Sequence, residues 1–538
     1  MGRTYWSAAL FAAGFFALPV SAAYADEVTD LKAEAKALAK QNEQLNKRLA
    51  EIEKRQKVLD ARAADLSMMP VKAVKAPPPV DDSLCWHGVC AYGVIDVGYG
   101  WEAHGAPYNP FLVSGVDEGI TKANNRAMFA ATPNGLSQST IGLKGTTELL
   151  PGLNGIFKVE TGFNPMSGNL PNGQASIYQN NGLPQAAWTA IGDSSRNGQA
   201  FNGQAYVGLS SPLYGTVTFG RNNSFLLDEI LAYDPIAASY AFSPLGFSGA
   251  FAGGGSTEVG RLDQSIKWTW SYGPVRAGVL YQVGNYGNSG NSSWVHDDLQ
   301  GTAGFTYQGL SVDATGGYIR GMVNISSAGA PLSAIQQAAA IPVFGANTLA
   351  ATISDNTVAM VTAKYKFDGP VKWELMGGYE WMQFANPANP VPSGFVNNYG
   401  TTFSYVNNAN FPNDRILQIA WIGGKWQATD HLVVQAAYYH YWQNSYGNGA
   451  AGVVTTAAPA GAPASTTKTT FGPAGCSSNA FSTCSGYIDY ASLVFDYVFT
   501  KHFDMYAGVM YSFGAGGLVN GYLNSWNVAP TIGARYSF

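Results

Sequence analysis

The stretch Val89–Trp101, VCAYGVIDVGYGW, alternates with period two. Its odd positions are Val89, Ala91, Gly93, Ile95, Val97, Tyr99 and Trp101, and its even positions are Cys90, Tyr92, Val94, Asp96, Gly98 and Gly100. Successive side chains of a strand point to opposite faces, so one face suits lipid and the other a wet or crowded interior. The same reading applies at 262–272, where Leu262, Ile266, Trp268, Trp270 and Tyr272 are expected outward. Arg261, Asp263, Ser265, Lys267 and Thr269 are expected inward, with Gln264 as an exception on the outer face. At 503–513, Phe503, Met505, Ala507, Val509, Tyr511 and Phe513 point outward and Asp504, Tyr506, Gly508 and Ser512 inward.

Composition agrees with such a sheet. The 538 residues include 30 Lys and Arg and 35 Asp and Glu, 12% of the chain, against about 25% in soluble proteins. There are 63 Gly and 30 Tyr, and mean hydropathy is −0.04. The longest apolar run, Ala8–Val20, has 13 residues, and a membrane-crossing helix needs about 18 or more. That excludes a polytopic helical membrane protein. A net charge of −5 and a pI of 5.7 exclude a strongly basic nucleic-acid binder. Transmembrane barrels evade hydropathy because lipid-facing and lumen-facing residues alternate.

Extending the period-two rule predicts about sixteen antiparallel strands between Cys85 and Phe538. They fall near 88–101, 137–148, 155–164, 201–210, 215–221, 261–272, 274–285, 299–308, 310–320, 356–367, 371–384, 415–427, 431–443, 487–499, 503–514 and 526–538. Short connections alternate with long loops, which span 102–136, 165–200, 222–260, 286–298, 321–355, 385–414, 444–486 and 515–525. Short turns on one rim and long loops on the other are the layout of outer-membrane barrels. An even strand count puts both barrel ends on the short-turn, periplasmic rim. A soluble β-sandwich would not need the outward Trp and Tyr.

The segments before the barrel have different chemistry. Residues 1–25 read as a signal peptide: Arg3, an apolar stretch, then Ala23-Tyr24-Ala25. From 26 to 69 there is neither Gly nor Pro, and Leu31, Leu38, Leu45, Ile52, Leu59 and Leu66 recur every seven residues. Val28, Ala35, Asn42, Leu49, Gln56 and Ala63 fill the companion seam, which predicts a periplasmic coiled coil. Residues 70–84 form a Pro-rich linker containing Pro77-Pro78-Pro79.

Several motifs resemble the Gram-negative general diffusion porins. IGLKGTTELLPGLNGIFKVETGF (141–163) is similar to their second and third strands, and GQAYVGLS (203–210) with YGTVTFGR (214–221) to their fourth and fifth. The closing GARYSF (533–538) resembles their terminal strand, whose aromatic end, here Tyr536 and Phe538, is read by the barrel assembly machinery. The resemblance implies a 16-stranded barrel, a homotrimer, and a loop after strand 5 that folds inward and narrows the pore. That loop is 222–260, where Asp228, Glu229 and Asp234 form a candidate acidic arc. Arg221 and Arg261 match the family's basic positions, and Lys144 and Lys158 are inward by parity. A transverse field between such arcs filters ions. The chain departs from the family at Thr140, where relatives often carry Arg, and SPLGF (243–247) is only a loose echo of the enteric Pro-Glu-Phe-Gly motif. Residues 81–538 hold 18 basic and 26 acidic residues, net −8, which leans toward cations.

Cys85, Cys90, Cys476 and Cys484 form two local pairs suited to disulfides in an oxidising compartment. The Cys85-to-Cys90 stretch lacks the second ligand pair of a zinc site, so no metal is expected. The six His show no paired ligand spacing, and Gly246-Phe-Ser-Gly249 stops one residue short of a nucleophile elbow. No cofactor and no enzymatic activity are expected. The sequence thus predicts a passive outer-membrane channel for small hydrophilic solutes, its coiled coil contacting peptidoglycan. A substrate-selective channel and a structural tether or adhesin are the alternatives.

Overall fold

The computed structural model describes scattered positions between 36 and 54, then residues 84–104, 127–168, 170, 200–246, 260–283, 298–319, 355–369, 372–385, 413–446, 451–455, 468–473, 485–517 and 524–538. The chain divides into two units, 1–71 and 72–538. In the first, every described position, from Lys36 to Lys54, is helical and exposed. None is a seam position of the heptad pattern, and Lys47 pairs with Glu43 one turn away at 2.9 Å. The apolar seam, the signal peptide and the linker up to residue 83 lie outside the described residues.

The second unit is a closed antiparallel β-barrel of sixteen strands. We number them β1 (Val89–Glu102), β2 (Met128–Pro133 continued by Thr140–Leu150), β3 (Leu153–Gly162), β4 (Ala205–Ser211), β5 (Gly215–Asn223), β6 (Arg261–Tyr272), β7 (Val275–Gln282) and β8 (Asp298–Tyr307). The circuit continues with β9 (Leu310–Ile319), β10 (Asp355–Lys366), β11 (Lys372–Ala385), β12 (Arg415–Gln427), β13 (Leu432–Gln443), β14 (Gly486–Val498), β15 (Phe503–Gly516) and β16 (Trp526–Ser537). Each strand pairs with its sequence neighbours. Closure comes from β1 on β16, Val94 opposite Ser537 through Gly100 opposite Thr531. Gly93 and Phe538 then exchange both backbone hydrogen bonds at 3.0 Å.

The observed strands follow the expected ones closely, with three departures. β2 is interrupted: 128–133, expected within a loop, pairs with Val97–Glu102, while 140–145 pairs with Val89–Val94. Pro133 ends the first piece because it has no N–H to give the ladder, and Asn134 turns the chain at φ 62°. The carboxylate of Asp96 holds the gap by accepting the N–H groups of Leu136 (2.9 Å) and Ser137 (2.7 Å) and the hydroxyl of Tyr506 (2.6 Å). Second, Leu262 is buried rather than outward. Two steps on β5 (Gly220 to Asn222) oppose three on β6 (Ser265 to Leu262), a bulge that breaks the alternation and leaves Gln264 at φ 53°. Third, the long loop before β14 contains a hairpin of its own, Ala451–Thr455 on Lys468–Pro473.

Elsewhere the alternation holds. Ile95, Val97, Tyr99 and Trp101 are exposed while Asp96, Gly98, Gly100 and Glu102 are buried. Cys85 and Cys90 form a disulfide that fastens the two-residue strand Cys85–Trp86 to the start of β1; Cys476 and Cys484 lie outside the described residues.

Candidate pore constriction

The loop after β5 contains a helix, α1 (Phe225–Tyr233), where the sequence pattern indicates only loop. Ser224 is its N-cap, accepting the N–H of Leu227 at 3.0 Å. Asp234 caps its other end, and Pro235 cannot continue it. Lys364 donates to the carbonyl of Ala232 at 3.0 Å, placing a cation at the helix C-terminus.

Segment 225–245 has an ordinary hydrophobic core. Phe225, Leu226, Leu227, Ile230, Tyr233, Ile236, Ala241, Phe242 and Leu245 are buried. So are Met360, Met382, Ile419, Trp421, Tyr439 and Met510, which lie on the sheet face opposite the exposed apolar one. The fit is close: a Cβ at Gly423 would meet Pro235 at 2.7 Å, and one at Gly508 would meet Phe242 at 2.8 Å. Larger residues there would push the segment away from the wall.

Polar bonds join the same elements. Glu229 accepts from the hydroxyls of Thr302 (2.9 Å), Thr315 and Thr362 (3.2 Å), reaching β8, β9 and β10. Burial raises its carboxyl to about 7, outweighing those three hydrogen bonds. Asp234 accepts from Tyr439 (2.6 Å) and from the N–H groups of Ile236 (3.2 Å) and Ala238 (2.7 Å), and burial also pushes its carboxyl up. The Tyr233 hydroxyl bonds Asp313, which in turn pairs with Arg276 at 2.6 Å. Two of the three expected acidic residues therefore fasten the segment to the wall. Asp228 differs: its side chain is 42% exposed and pairs with Lys267 of β6 while accepting from Asn223 at 2.9 Å.

The expected basic residues fall into two groups. Arg221 is buried, paired with Asp263 at 2.7 Å and donating to the carbonyls of Asn202 and Gly203. It ties the chain entering β4 to β5 and β6. Arg261 is buried nearby and acts electrostatically on Glu160. Lys144 and Lys158 are register partners on β2 and β3, 5.5 and 5.6 Å from the Tyr92 ring. Lys158 also pairs with Glu160 at 3.1 Å and donates to Gln204 at 2.6 Å. Lys267, Glu160, Asp263 and Tyr92 complete this polar wall, and the candidate set drawn from sequence omitted them. Inward parity could have found all four. No cluster able to hold a metal ion occurs among the described residues.

Comparison with known proteins places the chain. A sequence profile for Gram-negative porins matches residues 73–529. An outer membrane porin protein of Bordetella pertussis is 30% identical over 200 residues, covering 36% of this chain and 42% of that protein. The alignment thus spans less than half the length of that curated relative. Among solved structures, the anion-selective porin from Comamonas acidovorans shares the fold at TM-score 0.51 and 15% identity, covering 84% of this chain and 99% of that one. The outer membrane channel DcaP of Acinetobacter baumannii aligns at TM-score 0.45 and 12% identity, over 86% of this chain and 100% of that one. With its sixteen-stranded barrel and a profile match over most of its length, the chain belongs to the Gram-negative porin family of the outer membrane.

Proposed function

We propose that the chain forms a passive, water-filled channel for small hydrophilic solutes and ions, narrowed by segment 225–245. The observation that carries this reading is the anchoring of that segment. Its apolar side chains and the bonds of Glu229, Tyr233 and Asp234 hold it against the inner face of the barrel, from β8 to β15. The opposite wall offers Lys144, Lys158 and Glu160, and Asp228 of the segment itself pairs with Lys267 of β6, as the charged boundary of the passage. Because Asp228 is ion-paired while Glu229 and Asp234 are buried, the arc carries less negative charge than the composition suggests. Discrimination between ions is then weak, and the net −8 of the barrel region biases it slightly toward cations.

Single-channel recording across a planar bilayer with a salt gradient tests the reading. Conductance steps with a reversal potential near zero, slightly on the cation side, are expected; absence of steps from folded protein would overturn it. Membership of the porin family also supports a homotrimer assembled by the barrel assembly machinery. The heptads of 26–66, with nine basic and nine acidic residues on solvated flanks, favour a second role as a tether to peptidoglycan. Unchanged co-sedimentation with peptidoglycan after deletion of 26–69 would remove that role.

A further inference from the structure

The Cys85–Cys90 hairpin lies at the seam where the barrel closes. β1 begins at Val89, but β16 reaches along it only as far as Gly93, which pairs with the last residue, Phe538. Below that point one edge of β1 is taken, since Val89 and Cys90 pair with Gly145 and Lys144 of β2. Trp86 and Cys85 pair with the same two residues. They must therefore lie on the other edge, the one β16 uses higher up. They also run antiparallel to β1, as β16 does. The hairpin thus continues the line of β16 past its end, and the start of the barrel fills a place that its last strand leaves open.

The local sequence builds this piece without help from the rest of the chain. Trp86 opposite Val89 leaves a two-residue connection, His87-Gly88, with φ 47° and 81°. Positive φ at both central residues marks a type I′ turn, whose twist matches that of the strands it joins. Glycine suits position 88 twice over, because a Cβ there would meet the carbonyl oxygen of Thr146 at 2.9 Å. An isolated two-stranded hairpin is marginal at best in water, and this one has only two residue pairs. The disulfide joins the second of them, Cys85 to Cys90.

A strand edge with unpaired N–H and C=O groups is a template for any other strand. The β16 partner of β1 is the last part of the chain to be made, whereas the hairpin needs only residues five apart. We propose that the hairpin is an assembly guard: oxidation of Cys85 and Cys90 before the barrel closes fixes it on the lower edge of β1 and keeps that edge from other strands. The two cysteines are then a redox modification site whose reactant is a disulfide-bearing thiol oxidant. One cysteine, as thiolate, attacks the oxidant's disulfide, forming a mixed disulfide and releasing one reduced thiol. The other cysteine attacks the mixed disulfide and releases the second thiol. Two electrons and two protons pass from the cysteines to the oxidant, which leaves as two thiols. Both cysteines are only partly buried even in the closed barrel. This role rests on assembly from an oxidising compartment and is separate from the passage.

The test refolds the full chain from urea into detergent micelles, in a Cys476→Ser/Cys484→Ser background so that one disulfide alone can form. Chain first oxidised with glutathione disulfide is compared with chain held reduced by a phosphine, and heat-shifted migration reports the yield of closed barrel. The oxidised chain is expected to give at least threefold more barrel. Cys85→Ser is expected to match the reduced chain whether or not oxidant is present. Equal yields from oxidised and reduced chain would overturn the proposal, as would a Cys85→Ser yield equal to that of the oxidised chain. The phosphine is also added to barrel already folded. Heat-shifted migration is then expected to persist, because Gly93 and Val94–Gly100 still hold β16. Its loss would overturn the proposal, making the disulfide a staple of the finished barrel and not a guard during its making. Conductance of the oxidised barrel, recorded in parallel, tests the channel reading by itself.

Discussion

The barrel wall and segment 225–245 solve opposite problems with the same residue types. On the wall, Ile422, Leu493 and Phe495 are exposed while Asp96, Glu380 and Arg415 are buried. In the segment the order is the usual one, with Leu226, Ile230 and Phe242 at 1% exposure or less. The wall is held by lipid outside and by a closed ladder in which each strand hydrogen-bonds to its two neighbours, closure being what lets a sheet cross a bilayer. The segment is held by hydrophobic burial in water, against an apolar half of the inner face contributed by β10–β15. One chain thus contains an inverted protein and, within it, a conventional one.

Removing packing from the conventional part should have the largest effect. Ile230→Ala is expected to cost about 2–5 kcal/mol, the usual range for a buried Ile. That cost falls on the segment and not on the ladder, so the barrel should keep its heat-shifted migration while single-channel conductance rises and becomes noisy. If conductance stays at the wild-type value, the segment does not set the passage. Next comes a charge on the inverted part. Leu493→Arg, in mid-strand on the lipid face, should lower barrel stability by about 2–4 kcal/mol, measured by urea unfolding in lipid vesicles, and leave the conductance of folded channels unchanged. An effect of similar size from Leu493→Ala would point to packing rather than lipid as the cause.

The smallest effect sharpens the comparison through pH. Glu229 holds its proton up to about 7 in the fold, whereas an unperturbed Glu releases it near about 4.3. The folded state therefore binds more protons between these values. The favourable anchoring is fully present below about pH 4.3 and is lost as pH rises through about 7. Thr302, Thr315 and Thr362 face the carboxyl directly, and Asp313 adds repulsion. Amide exchange across 227–234, corrected for intrinsic rate, should lose protection several-fold between pH 5.5 and 8.5. Glu229→Gln should abolish that dependence, and an unaltered profile in the variant would assign the titration elsewhere.

The inverted part was the legible one. β6 and β12 match the expected 261–272 and 415–427; in β6, outward Ile266 and Trp268 alternate with Ser265, Lys267 and Thr269. Met128–Pro133 was missed because six residues ending in proline carry too short a period to register. α1 was missed for a related reason: FLLDEILAY is buried on several sides, so it lacks the polar stripe by which a surface helix is recognised. The roles of Glu229 and Asp234 were invisible in sequence because their partners lie 73 to 205 residues away. Sequence separation, not residue type, decided whether these carboxylates line a passage or fasten a wall.

The bond between Asp96 and Tyr506 spans 410 residues and ties the first strand to the fifteenth. Asp96 also organises the break in β2, so the beginning of the barrel is incomplete until its end has been made. Contacts of such separation are slow to form, because a very long loop must close before they return any free energy. Until then β1 and β16 are two open edges able to pair with any strand nearby. Assembly of this barrel is therefore a timing problem, in which the N-terminal strand must be kept from other partners until the last residues arrive.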